Sequence, residues 1–103
     1  MTGYNLYKKA LVDKNTPEQN LVLLLNKIII NLGTGDTDNS IDILHFLIDS
    51  LDFEMNEEFC IQLSSLYIFC IKELLLYKID KDVDHIDNVR KSIIPIKEGF
   101  SQV

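Results

Sequence analysis

Apolar positions recur at steps of three and four along most of the chain, and the alternation that marks a half-buried strand is nowhere sustained. Thr16-Pro17-Glu18-Gln19 opens the first such stretch. Thr16 is suited to accept a backbone N–H as N-cap, and Pro17 to the first helical position, where no donor is needed. Gln19 can reach back to the Thr16 N–H and complete a capping box. A helix is expected over 16–32, ended by Gly33-Thr34-Gly35-Asp36, whose glycines supply left-handed backbone. The second helix is expected over 39–51, capped by Asp38, Asn39 or Ser40, with Ile41, Leu44, Leu47, Ile48 and Leu51 as its apolar stripe. The third is expected over 56–78, with Asn56 as cap and Glu57 and Glu58 at the positive end of the helix dipole. One of its stripes is Phe59, Leu63, Leu66, Cys70, Leu74 and Tyr77, and a second is Cys60, Tyr67, Ile71 and Leu75. Together they cover more than half the circumference and predict the central helix of the fold. The last helix, 82–100, carries Val83, Ile86, Val89, Ile93, Ile96 and Phe100 inward, and Pro95 predicts a kink or early end near Ser92 to Ile94.

Ahead of these lies a short segment, 1–14, with Tyr4, Tyr7, Lys8 and Leu11 at helical steps. One or two turns are not stable alone in water, so this segment is expected to be ordered by docking. Four helices joined by short loops favour antiparallel neighbours. The expected fold class is all-α, an antiparallel up-down four-helix bundle with a short N-terminal helical segment, and residues 1–103 form one domain.

Composition narrows the function classes. The hydrophobic fraction of 47% and charged fraction of 25% are ordinary for a globular chain and argue against wholesale disorder. A net charge of −6 argues against nucleic acid and against an anionic membrane surface. The longest apolar run, Leu21 to Leu32, is interrupted by Asn26, Lys27 and Asn31, short of a membrane span. Residues 1–11 lack the charged-then-apolar pattern of a signal peptide, so a cytosolic protein is expected. Cys60 and Cys70, ten residues apart on one helix, lie ~15 Å from each other, too far for a disulfide, and read as small core residues.

The chain offers little chemistry. His45 and His85 have no second ligand at metal spacing. Gly33-Thr34-Gly35 lacks the preceding strand and following lysine of a phosphate loop. Asp80, Asp82 and Asp84 suggest a calcium loop, but its sixth and twelfth positions are His85 and Lys91, so an acid-rich helix start is the better reading. Ser64 and Ser65 sit mid-helix without a base. No enzyme, metal or cofactor is implied.

What stands out is surplus apolar surface. Leu21 to Leu25 and Ile28 to Ile30 exceed the roughly three apolar residues per seven that a one-sided helix needs, and Ile68, Phe69, Leu75 and Leu76 add to the excess. A groove for a partner helix is the functional reading; an interior helix or a homodimer face is the structural one.

Several of these features together resemble the flagellin-specific secretion chaperone family of bacterial flagella. Leu51-Asp52-Phe53-Glu54, Glu58, Leu63 and Leu66-Tyr67 match its Leu-Asp-x-Glu segment and its Leu-x-x-Leu-Tyr helix. Lys78 to Asp82 matches the loop before its last helix, and Tyr4, Tyr7, Thr16-Pro17 and Leu21 to Leu24 match its opening order. The chain departs at Asn20, where the family often has Leu, at Leu25, where it often has Tyr, and near Phe100, where a tryptophan is common. Between Ile29 and Leu51 it is shorter than usual by ~15 residues, about four turns. The resemblance implies a cytosolic chaperone that binds the C-terminal segment of flagellin, blocks premature polymerisation and assists flagellar type III export. It also implies that the N-terminal segment covers part of the groove when flagellin is absent. On this reading Tyr4, Tyr7, Leu11, Leu21, Leu24, Ile28, Ile71 and Leu75 form the contact surface, with the tyrosines as a displaceable lid. Flagellin is the expected partner, alongside other flagellar assembly or export components. A homodimer through the same apolar face is the competing expectation.

Overall fold

The computed structural model describes residues 17–101, with the side chains of residues 19–100. Thr16 and the segment 1–14, with Tyr4, Tyr7 and Leu11, lie outside the described residues. Four helices follow one another: α1 (Pro17–Thr34), α2 (Thr37–Asp49), α3 (Glu57–Asp80) and α4 (Val83–Ser101). They form a four-helix bundle in which α1 packs on α2 and α4, and α3 on α2 and α4.

The caps explain the boundaries. Gly35 has φ +80°, and the Asp36 N–H donates to the Asn31 carbonyl at 3.0 Å, closing the end of α1 with a left-handed residue. Asp36 then caps α2, its carboxylate accepting from the Asn39 N–H at 3.2 Å. The second helix therefore starts two residues before the expected 39, because the cap is Asp36 rather than Asp38, Asn39 or Ser40. Asn56 caps α3 by accepting from the Phe59 N–H at 3.2 Å. Lys81, at φ 58°, ends α3 in the left-handed conformation. Asp82 accepts from the Asp84 N–H at 3.0 Å and so caps α4.

The core is assembled from Leu24, Leu25, Ile28 and Leu32 of α1, Ile43, Leu44 and Leu47 of α2, Leu63, Tyr67, Cys70, Ile71 and Leu74 of α3, and Ile86, Val89 and Ile93 of α4. In α2 the buried face is turned from the expected one. Ser40 and Ile43 are fully buried, whereas Ile41 and Ile48 sit at its margin. The third helix is not central: Phe59 and Leu75 of its two expected stripes are 43% and 47% exposed, and its core face is one side only. By length and composition α3 is also the one described helix that could cross a membrane, and seven of its residues are buried against the other helices.

The early end expected near Ser92 to Ile94 does not occur, and α4 runs on through Pro95 to Ser101. Pro95 is exposed, so the carbonyl it leaves without a donor faces water, while Ile93 and Ile96 hold the helix to the core on either side. Cys60 and Cys70 are both free and buried. Burial pushes the Cys70 thiol up to about 11, with the nearby Glu73 carboxylate adding to it and a hydrogen bond with Ser92 opposing it.

Candidate functional site

At the end of the bundle where α2 hands over to α3, the four helices do not close. A hollow of about 340 Å³ opens among Leu21 and Leu24 of α1, Phe46 and Leu47 of α2, Leu51 of the loop, Phe59, Leu63 and Tyr67 of α3, and Phe100 of α4. Asn20 and Ser50 are its polar lining residues and no charged side chain lines it, so it suits an apolar ligand rather than an ion. A second hollow of about 260 Å³ lies alongside, between the start of α3 and Pro95, Ile96 and Gly99 of α4, and shares Phe59, Leu63 and Phe100 with the first. The Phe59 and Phe100 rings, 6.4 Å apart and tilted by 55°, form the ridge between them.

The loop 50–56 frames this opening. The Asp52 carboxylate accepts from the Glu54 N–H at 3.1 Å, and its carbonyl accepts from the Met55 N–H at 3.2 Å and from the Cys60 thiol at 3.3 Å. One acidic residue thus pins the turn at three points, and the turn leaves Phe53 42% and Met55 82% exposed. The Leu-Asp-x-Glu and Leu-x-x-Leu-Tyr motifs acquire physical roles: Asp52 shapes the rim, and Leu51, Leu63 and Tyr67 line the cavity. Tyr67 is 1% exposed, and burial raises its phenol to about 12, with a lesser contribution from Cys70.

Of the residues expected to bind, Leu21 and Leu24 meet at this groove. Ile28 and Ile71 are buried in the core, as Leu24 is, but unlike Leu24 they do not line the hollow. Leu75 lies on the outer side of α3, apart from both. Tyr4, Tyr7 and Leu11 lie outside the described residues. The aromatic lining from Phe46, Phe59 and Phe100 was not anticipated as a site. The signal was the recurrence of phenylalanine at three element ends, but only the packing shows that those ends converge.

The opposite end holds a polar cluster that the spacing did not reveal. His85, at the acid-rich start of α4, is half-buried between two carboxylates. Its Nδ1 meets Glu73 Oε2 in a short contact, and its Nε2 lies 3.0 Å from Asp80 Oδ2. Asn88 Nδ2 donates to Glu73 Oε1 at 3.0 Å, and Ser92 Oγ to the Asn88 carbonyl at 3.0 Å. Both carboxylates only accept, so the imidazolium is the form that satisfies both sides of the ring. Hydrogen bonds to Asp80 and then Glu73 raise the His85 pKa above its usual 6.5. Asp80 is held below its usual 3.8 first by the Asp82 N–H and then by His85. No group of three or more potential metal ligands is found among the described residues. The cluster ties α3 to α4 through side-chain hydrogen bonds, so it is read as structural.

A bundle sealed by polar contacts at one end and open to an apolar groove at the other is the form of a peptide- or helix-binding module. The family model described as the flagellar protein FliS matches residues 35–103. The match takes in α2, α3, α4 and seven of the nine apolar residues lining the larger hollow, and the chain belongs to that family. The family is one of flagellar export chaperones for flagellin, not of enzymes. No curated protein and no solved structure matches the chain.

Proposed function

We propose that the protein is a cytosolic chaperone whose open end receives the C-terminal helical segment of flagellin, prevents its premature polymerisation and assists type III export. The observation that carries the reading is the coincidence of the family match with the groove: its motif residues Leu51, Leu63 and Tyr67 line one apolar cavity. An amphipathic helix seeks such a surface, and each anchor side chain it buries removes roughly 1.5–3 kcal/mol of apolar area from water. The contact surface then centres on Leu21, Leu24, Phe46, Leu51, Phe59 and Phe100.

The segment carrying Tyr4, Tyr7 and Leu11 is proposed as the lid. α1 starts at Pro17, only three residues before Asn20 at the groove. The link from Leu11 to Pro17 reaches roughly 20 Å when extended, enough to bring both tyrosines to the cavity. The lid reading treats this segment as separable from the fold, since residues 17–101 carry a buried core drawn from all four helices. Deleting residues 1–11 is expected to leave the helical circular dichroism signal intact and to tighten partner binding. Loss of the helical signal would end the lid reading.

The proposal is tested by co-purification with flagellin from the same genome, full-length and lacking its C-terminal segment. A one-to-one complex that disappears on truncation is the expected result. A complex indifferent to the truncation would place recognition elsewhere on flagellin, and no complex at all would refute the reading.

A further inference from the structure

The net charge of −6 is not spread over the molecule. Residues 72–103 carry six charges of each sign, and residues 1–27 carry a net +2. The whole negative excess therefore comes from residues 28–71, which hold eight Asp or Glu and no Lys or Arg. Five of the eight, Asp49, Asp52, Glu54, Glu57 and Glu58, fall where α2 hands over to α3, beside the larger hollow. Asp52 to Glu58 are exposed, as is Asp49. They are interleaved with the hollow's walls: Asp49 precedes Ser50, Asp52 follows Leu51, and Glu58 precedes Phe59. No charged side chain lines the hollow itself, so an apolar interior is bordered by an acidic rim. We infer that the open end selects by charge as well as by shape, and takes an amphipathic segment whose apolar face is flanked by lysine or arginine. This deepens the proposed function and rests on the open end being the binding site.

Three observations select that occupant. The first is that the rim has no cation of its own: the ion pairs among the described residues use Asp38, Glu73, Asp80 and Asp87 instead. The positive end of α3, where Glu57 and Glu58 lie, offsets only about half a charge. Lys97 and Glu98, on α4 near Phe100, are of opposite sign. Like charges beside a low-dielectric apolar wall draw cations in and repel a helix flanked by carboxylates. The second is reach. A Lys or Arg on the bound segment lays its methylene stem along the apolar wall and carries its charged head out to the solvated rim, where neither partner is fully stripped of water. The third is that the chain itself contains a segment of this chemistry. Residues 1–14, proposed as the lid, combine Tyr4, Tyr7 and Leu11 with Lys8, Lys9 and Lys14 against the single acid Asp13. A lid and a partner that compete for one groove answer to the same walls, so an apolar and basic lid points to an apolar and basic partner.

The test compares two ligands on the same full-length protein, so that any competition from residues 1–14 is common to both. One ligand is the C-terminal segment of flagellin from the same genome; the other is that segment with its Lys and Arg replaced by Gln. Affinities are measured by titration calorimetry at about 50 mM and about 500 mM NaCl, which bracket long and short screening lengths. The neutralised segment is expected to bind about tenfold more weakly at low salt, and the gap to close at high salt. A rim variant combines Asp49→Asn, Glu54→Gln, Glu57→Gln and Glu58→Gln, and keeps Asp52 because its carboxylate holds the turn. It is expected to retain its helical circular dichroism and to bind the two segments equally. Equal binding of both segments to the unaltered protein, a gap that survives in the rim variant, or a native segment that binds without carrying any cation would overturn the charge inference while leaving the groove as the binding site. Failure of the native segment to bind at either salt would overturn both readings.

Discussion

Where α1 meets α2 and α3 meets α4, two residues make each connection, 35–36 and 81–82, and polar contacts tie both turns, although the buried Asn31 Nδ2 and Ser40 Oγ beside the first turn have no hydrogen-bond partner. Gly35 and Asp36 close one turn, Asp80 and Asp82 close the other, Lys78 bridges to Asp38, and His85 locks α3 to α4 through Glu73. Where α2 meets α3, seven residues, 50–56, make the connection, and three phenylalanines and five leucines stand around a cavity instead of filling it. The same four helices thus end in a sealed cap and an open mouth. The difference teaches that stability and binding are separated along the bundle axis: polar contacts at one end hold the helices in register, so the other end can keep apolar surface uncovered.

That separation can be broken from either side. The largest effect is expected from the core that joins the ends. Ile28→Ala removes a side chain with 0% exposure and is expected to cost about 2–5 kcal/mol in chemical denaturation. It acts on folding and should leave the affinity of the folded fraction unchanged.

Next comes the open end. Phe59→Asp, at a 43% exposed position on the groove ridge, is expected to shift the thermal midpoint little. It should weaken flagellin binding about thirtyfold, about 2 kcal/mol by titration calorimetry. Loss of folding instead would mean that the ridge belongs to the stability half of the molecule.

At the sealed end, Glu73→Ala leaves the His85 ring and the Asn88 amide without their shared acceptor and is expected to cost about 1–3 kcal/mol of stability. Binding at the groove should not follow it. Gly35→Ala is smaller, about 1 kcal/mol, because the added Cβ meets no neighbour within 4 Å and opposes only the positive φ.

The sealed end also sets a pH window. His85 has a raised pKa in the folded chain, so its contribution is complete below 6.5, its unfolded value, and is lost as pH rises through the folded value. Asp80 has a lowered pKa, so its contribution is present above 3.8 and is lost as pH falls through its folded value. The thermal midpoint is expected to be highest between these limits. His85→Gln should flatten its alkaline arm; an unchanged profile would remove His85 from the account.

Much of this architecture was legible in the residues because helix signals are local. Asn56 with Glu57 and Glu58, and Gly35 after α1, mark boundaries that caps enforce chemically, whereas Gly33 stays within the helix. Where two caps compete, the local signal fails: Asp36 takes the cap because Gly35 turns the chain early, and α2 then rotates to bury Ser40 and Ile43. The resemblance pointed to a groove, but not to its walls. Leu21, Leu24, Ile28, Ile71 and Leu75 look equivalent as apolar residues at helical spacing. Only packing divides them into groove, core and outer face. The His85 cluster was hidden for the converse reason. Glu73 sits at the edge of an apolar stripe, and nothing in the spacing of His85, Asn88 and Ser92 joins them to it until α3 and α4 are placed side by side.

The most direct test of the open end as the binding site is a chemical-shift titration. Isotopically labelled protein would be titrated with the C-terminal segment of flagellin. The account predicts perturbations concentrated at Leu21, Phe46, Leu51, Phe59 and Phe100, with His85 and Asn88 unmoved. Perturbations centred on the outer face of α3 or on the His85 cluster, with the groove residues silent, would contradict it.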